Sequence, residues 1–88
     1  MAWFVYIVEC VDTSFYAGIT TDIDRRLHEH NEKKSGARYT RAKRPVKLVY
    51  SEAMENRSEA SKREYAIKQM TRKQKEQIIA QYSRLKTR

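Results

Sequence analysis

The strongest constraint on folding lies in residues 3–20. Two runs dense in aromatic and β-branched residues, Trp3-Phe4-Val5-Tyr6-Ile7-Val8-Glu9-Cys10 and Phe15-Tyr16-Ala17-Gly18-Ile19-Thr20, flank the polar triplet Asp12-Thr13-Ser14. Runs of this kind read as strands, and so short a gap makes them an antiparallel hairpin. Along the first strand Phe4, Tyr6, Val8 and Cys10 share one face, and Trp3, Val5, Ile7 and Glu9 the other. A three-residue loop at Asp12-Thr13-Ser14 places Val11 opposite Phe15 and Val8 opposite Gly18. Tyr6 and Tyr16 then project from the same face with Cα atoms about 13 Å apart, leaning across the bare Gly18. A two-residue turn would send the two phenols to opposite faces.

The charge of the chain is placed as unevenly as its hydrophobicity. No Lys or Arg precedes Arg25, so all nineteen fall in residues 25–88, and the net charge is +8. An apolar front followed by a basic body describes a sheet core carrying a cationic face. Such a field attracts polyanions, nucleic acid foremost; a merely solvating basic surface is the alternative. Eighty-eight residues make one small domain, taken as residues 1–88. There is no apolar run long enough to span a membrane, and the first residues lack the pattern of a signal peptide. The single cysteine, Cys10, permits neither an internal disulfide nor a Cys-based zinc site, which suits a reducing cytoplasmic setting.

After the hairpin, Thr20, Thr21 and Asp22 are all competent N-caps for a helix. On it Ile23, Leu27 and His30 form one stripe, Arg26 borders that stripe, and Arg25 points away. An arginine beside a core stripe needs an anion, either a carboxylate or a ligand phosphate. Residues 33–44 read as a loop carrying Lys33, Lys34, Arg38, Tyr39, Arg41, Lys43 and Arg44. These cations suit phosphates and Tyr39 suits stacking on a base, although a polar connector has the same composition. Pro45 to Glu52 alternates as a third strand. Ser58 is placed as the N-cap of a helix to about Gln69, on which Ala60, Glu64 and Ile67 share a face with Arg63 at its margin. Glu64 puts a carboxylate inside an apolar stripe, which calls for a metal or for a salt bridge to Arg26 or another cation. Thr71-Arg72-Lys73-Gln74 fits a capping box for a last helix, with Met70 as a staple. Its stripe of Lys75, Ile78, Ile79, Tyr82 and Leu85 is expected against the sheet.

The inward polar groups are thus Tyr6, Tyr16, Arg26, His30 and Glu64. They include no P-loop and no Gly-framed acyl-transfer nucleophile. They do include the parts of a phosphodiester-cleaving site. One carboxylate can hold a Mg²⁺ that keeps most of its waters, and an arginine can stabilise charge on the phosphoryl group. A phenol can take a proton from water if the metal or Arg26 lowers its ordinary pKa of about 10.

Val5-Tyr6 and Tyr16-Ala17-Gly18, followed by Arg26 and His30 at Arg-x-x-x-His spacing and by Glu64, resemble the motifs of the GIY-YIG nucleases. Ala37-Arg38-Tyr39-Thr40 and Arg44-Pro45-Val46-Lys47-Leu48-Val49 are similar to segments of the small stand-alone bacterial members. Phe4-Val5 stands where the first motif has Gly-Ile, and Ala17 is the middle residue of the second. The resemblance implies an α+β fold, a three-stranded antiparallel sheet flanked by helices in the order β-β-α-β-α-α. It also implies hydrolysis of DNA with a single Mg²⁺ or Mn²⁺ held by Glu64. Arg26 would bind the scissile phosphate, and His30 would assist a tyrosine or the leaving group. Either Tyr6 or Tyr16 would activate water. Specificity would come from the basic loop, a homo-oligomer or a partner protein. The competing readings are a non-catalytic nucleic-acid-binding module and a protein-interaction adaptor.

Overall fold

The computed structural model describes residues 2–32, 40 and 42–86. Strands β1 (Trp3–Glu9) and β2 (Phe15–Thr20) are followed by helix α1 (Ile23–Glu32). Strand β3 (Lys47–Met54) and helices α2 (Arg57–Lys68) and α3 (Arg72–Lys86) complete the order. The sheet is antiparallel with β1 in the middle, β2-β1-β3. This is the expected α+β fold and element order.

The two-faced alternation of β1 sets two layers of core. Val5 and Ile7, both without exposed surface, pack with Ala17, Tyr50 and Ile67 beneath α2 and α3. Tyr6, Val8 and Cys10 face the other way and meet Val46, Leu27 and Tyr16 beneath α1. A bulge at Val49, between the pairs Ile7–Tyr50 and Val8–Leu48, keeps Leu48 and Tyr50 on their proper faces.

The hairpin register departs from expectation by two residues. Glu9 pairs with Phe15, Val8 with Tyr16 and Tyr6 with Gly18, so the loop runs from Cys10 to Ser14. The loop satisfies itself: Asp12 Oδ1 accepts from the Ser14 N–H at 3.0 Å and from Ser14 Oγ at 2.6 Å. Thr13 sits at φ 71°, and the Cys10 N–H reaches the Ser14 carbonyl at 2.8 Å. The Val11 N–H is drawn to the Lys43 carbonyl at 3.0 Å, which removes Val11 from the ladder. A slip of two preserves faces, so Tyr6 and Tyr16 still project together. Their offset along the strands falls to two residues, about 7 Å.

Other boundaries shift for equally local reasons. β3 begins at Lys47 rather than Pro45 because the Asn31 side chain takes both backbone groups of Val46, at 2.7 and 3.1 Å. The N-cap of α2 is Asn56, not Ser58. Its backbone is extended, and its side chain accepts from the Glu59 N–H at 2.9 Å, which leaves Ser58 inside the first turn. The α3 capping box is reciprocal as expected, Thr71 N–H to Gln74 Oε1 at 2.9 Å and Gln74 N–H to Thr71 Oγ1 at 3.2 Å. Ile78, Ile79 and Tyr82 pack on the sheet, but Leu85 is 66% exposed because α3 runs past the end of the core.

Candidate active site

The site grows outward from Tyr6, in the middle of the central strand. The register sets its ring directly over Gly18, where an added Cβ would stand 2.5 Å from the phenol oxygen. Glycine there is a requirement of close approach. The phenol reaches His30 Nε2 at 2.8 Å, and His30 Nδ1 reaches Thr40 Oγ1 at 2.9 Å. His30 and Thr40 have no exposed surface. The ring of Tyr16 stands edge-on to His30, centroids 5.4 Å apart.

α1 supplies both the histidine and the arginine. Asp22 caps it through Oδ1 to the Arg25 N–H at 3.0 Å, which fixes the phase that turns Arg26 and His30 toward the sheet. Arg26 is half-buried and ion-paired with Glu29 at 3.0 Å, so a carboxylate supplies the anion its position demands. It also lies close enough to the Tyr6 phenol to pull its pKa down. Arginine can only donate, so Arg26 beside the phenol favours an acceptor oxygen on that side, with the phenol O–H turned to His30 Nε2. His30 Nδ1–H then donates to Thr40. This tautomer is assigned from hydrogen-bond chemistry. The result is a directed chain, Tyr6 to His30 to Thr40, with Arg26 beside its first member.

Burial governs the electrostatics of that chain. It pushes the Tyr6 phenol up to about 12, overcoming the hydrogen bond and charge of Arg26 that pull it down. The charges of Tyr16 and Glu64 add smaller increments to the rise. A water-activating phenol requires the metal or Arg26 to lower its pKa; Arg26 does pull it down, and desolvation outweighs that pull. His30 is held down to about 4 by burial and then by Arg26, so its imidazole is neutral near pH 7.

Glu64 comes to the site from α2. Ala60 and Ile67, fully buried on either side, seat the helix on the sheet and leave the Glu64 side chain 23% exposed at the margin of that face. It pairs with Lys68 one turn on, at 3.4 Å, and Arg26 pairs elsewhere. No group of three or more His, Cys, Asp or Glu side chains converges among the described residues. A lone carboxylate already balancing one cation suits a Mg²⁺ or Mn²⁺ that keeps its waters and adds phosphate oxygens.

The basic loop is engaged with the protein where it is described. Lys43 pairs with Asp12 at 3.2 Å. Arg44 donates through Nε to the His30 carbonyl and through Nη2 to the Glu29 carbonyl at 3.3 Å, closing the end of α1. Lys33, Lys34, Arg38, Tyr39 and Arg41 lie outside the described residues. Sequence reasoning gave Thr40 no role. Its only signal was membership in a segment shared with similar bacterial proteins, since no periodicity marks a hydroxyl in a loop.

A three-stranded sheet with two tyrosines over a glycine, an arginine and histidine on the following helix, and a carboxylate on the next defines a nuclease class. The chain belongs to the GIY-YIG family, whose catalytic-domain profile matches residues 2–77. The family's proteins are generally endonucleases that act on nucleic acid with divalent metal ions. Among its relatives, UPF0213 protein DP2720 of Desulfotalea psychrophila is 60% identical over 78 residues, 89% of this chain and 71% of that protein. UPF0213 protein RBAM_000440 of Bacillus velezensis is 52% identical over 83 residues, 94% of this chain and 83% of that protein. The solution structure of the protein EF2693 from E. faecalis superposes with a TM-score of 0.64 at 47% identity, covering 94% of this chain and 88% of that one. That of UPF0213 protein BH0048 from Bacillus halodurans gives 0.58 at 44% identity, covering 91% and 84%. No described helix is long and apolar enough to cross a membrane.

Proposed function

We propose that this single domain is a metal-dependent endonuclease that hydrolyses phosphodiester bonds in DNA. The observation that carries the reading is the buried chain Tyr6–His30–Thr40, with the charges of Arg26 and Glu64 both bearing on its phenol. Glu64 would hold one Mg²⁺ or Mn²⁺, which supplies Lewis-acid polarisation of the phosphoryl oxygen.

Of the two tyrosines, Tyr6 has the proton exit built behind it. As the attacking water's oxygen bonds to phosphorus, its proton passes to the Tyr6 oxygen while the Tyr6 proton passes to His30 Nε2. The P–O bond to the leaving sugar oxygen breaks, giving a phosphomonoester and an alcohol. A His30 imidazolium in so buried a site is short-lived: Tyr6 passes the proton it took from water to the leaving oxygen and recovers its own from His30 Nε2. Arg26, braced by Glu29, faces the phosphate charge that develops. Tyr16 walls the opposite flank and orients the His30 ring. The loop cations Lys33, Lys34, Arg38, Arg41, Lys43 and Arg44, with Tyr39, would border the DNA path, and target choice would rest on them, on a second copy or on a partner protein. The buried free thiol of Cys10 fits a reducing, cytoplasmic compartment.

The test compares wild type with Glu64→Ala on supercoiled plasmid and labelled DNA, with and without Mg²⁺. Wild type is expected to nick only with metal, and the variant to lose nicking by about 10²-fold or more while retaining DNA binding. Undiminished cleavage by a nuclease-free preparation of the variant would overturn the role of Glu64. Binding without turnover by wild type would leave a nucleic-acid-binding module.

A further inference from the structure

A hollow of about 160 Å³ opens at the free edge of β2, between the end of α2 and the start of α3. Phe15 and Tyr16 form its strand side, Ile67 its floor, and Lys68 and Lys75 its rim. Its size is roughly that of five waters, room for a phosphate group. Two ammonium groups on one small hollow repel each other unless an anion lies between them. Lys75 is half-buried, and no ion pair of the described residues involves it. Among the described residues, the ion pair Lys68 makes is with Glu64, the carboxylate of the candidate site, at 3.4 Å. The hollow lies on the α2–α3 face of the sheet, where Ile7 and Ala17 also line it, and it borders the candidate site at the β2 edge through Tyr16, whose ring edge meets His30. It lies at the β2 edge, across from the β3 edge where Lys62 and Lys86 stand.

We propose that Lys68 and Lys75 form a second phosphate seat, which holds the backbone phosphate next to the scissile one on the cleaved strand. The seat rests on the nuclease reading and deepens it. The substrate strand crosses the β2 edge past Tyr16, with Arg26 on one side and the two lysines on the other. A backbone seat of this kind fixes the position of the strand and reads no sequence.

The test is binding of a fluorescent DNA duplex in EDTA, so that no cleavage intervenes, measured by anisotropy across a range of salt. Lys68→Gln/Lys75→Gln is compared with wild type and with the charge-matched control Lys62→Gln/Lys86→Gln. The expected result is a slope of log K against log[salt] shallower by about 1, one phosphate's worth, and affinity roughly tenfold weaker at 0.1 M salt. The control pair is expected to move the slope by less than half as much. Lys68→Arg/Lys75→Arg is expected to restore it, and thermal unfolding by circular dichroism to be alike in all variants. An unchanged slope, or an equal change in the control pair, would overturn the seat. If wild type still nicks DNA with Mg²⁺ in that case, the nuclease reading survives it. A wild type that binds no DNA at all overturns both.

Discussion

The phenol of Tyr6 and the imidazole of His30, 2.8 Å apart, are both kept neutral by burial, one pushed up to about 12 and the other down to about 4. For His30 this has a consequence for stability. An unfolded histidine takes its proton near pH 6.5, whereas the folded one refuses it until about pH 4. Between those values the unfolded state binds more protons, so stability is complete above pH 6.5 and is lost as pH falls toward 4. The loss amounts to about 3 kcal/mol at most. Asp12, whose hydrogen bonds from Ser14 hold its carboxyl at about 2, acts only in more acid solution. Urea unfolding from pH 7 to pH 4 is expected to show the decline in wild type and to lose that part of it in His30→Gln.

Gly18 gives a second residue-level prediction. A methyl group at Gly18 would meet the Tyr6 oxygen at 2.5 Å and the adjoining ring carbon at 2.7 Å, and His30 stands behind that oxygen. The phenol must tilt and its bond to His30 must break. Gly18→Ala is expected to cost about 1–3 kcal/mol in stability, the usual penalty of overpacking. Nicking should fall by about 10²-fold or more, because the displaced group is the proposed proton acceptor. Full activity in that variant would argue against Tyr6 as the base.

At the scale of elements, the site depends on where two helices start and stop. α1 is fastened at both ends: Asp22 caps its first turn, while Asn31 and Arg44 tie its last turn to residues 44–46. That tie holds His30 between Tyr6 and Thr40. α2 carries Glu64, and its start is set by Asn56. Asn56→Ala removes the acceptor for the Glu59 N–H and is expected to cost about 1 kcal/mol, whereas Ser58→Ala should change stability by a few tenths at most. Thermal melts of the two variants distinguish them, and equal losses would contradict the observed cap.

At the scale of the whole molecule, the polarity of the chain becomes a polarity of its surface. Residues 1–24, without a single Lys or Arg, supply the hairpin, and the basic residues come from the helices and loops around it. The phenols therefore sit on an apolar sheet bordered by cations, the setting in which a polyanion is drawn to a largely neutral centre. β1 ties the two faces together, since Val5 and Ile7 anchor α2 while Tyr6 on the same strand faces α1.

What the sequence by itself determined is what depends on neighbours within one turn or one strand. The period of two separated Tyr6 from Ile7, and the period of 3.6 selected Arg26 over Arg25 and His30 over His28. The capping box at Thr71 was legible for the same reason. Tertiary structure decided whatever depends on residues far apart in the chain. The Lys43 carbonyl withdrew Val11 from the hairpin and set the register. Thr40 became the partner of His30 across a loop, and Glu29 rather than Glu64 became the partner of Arg26. Lys75, expected only as an aliphatic stem in a packing stripe, came to share a hollow with Lys68. Periodicity assigns a side chain to a face, and only the packed chain fixes which partner it meets there.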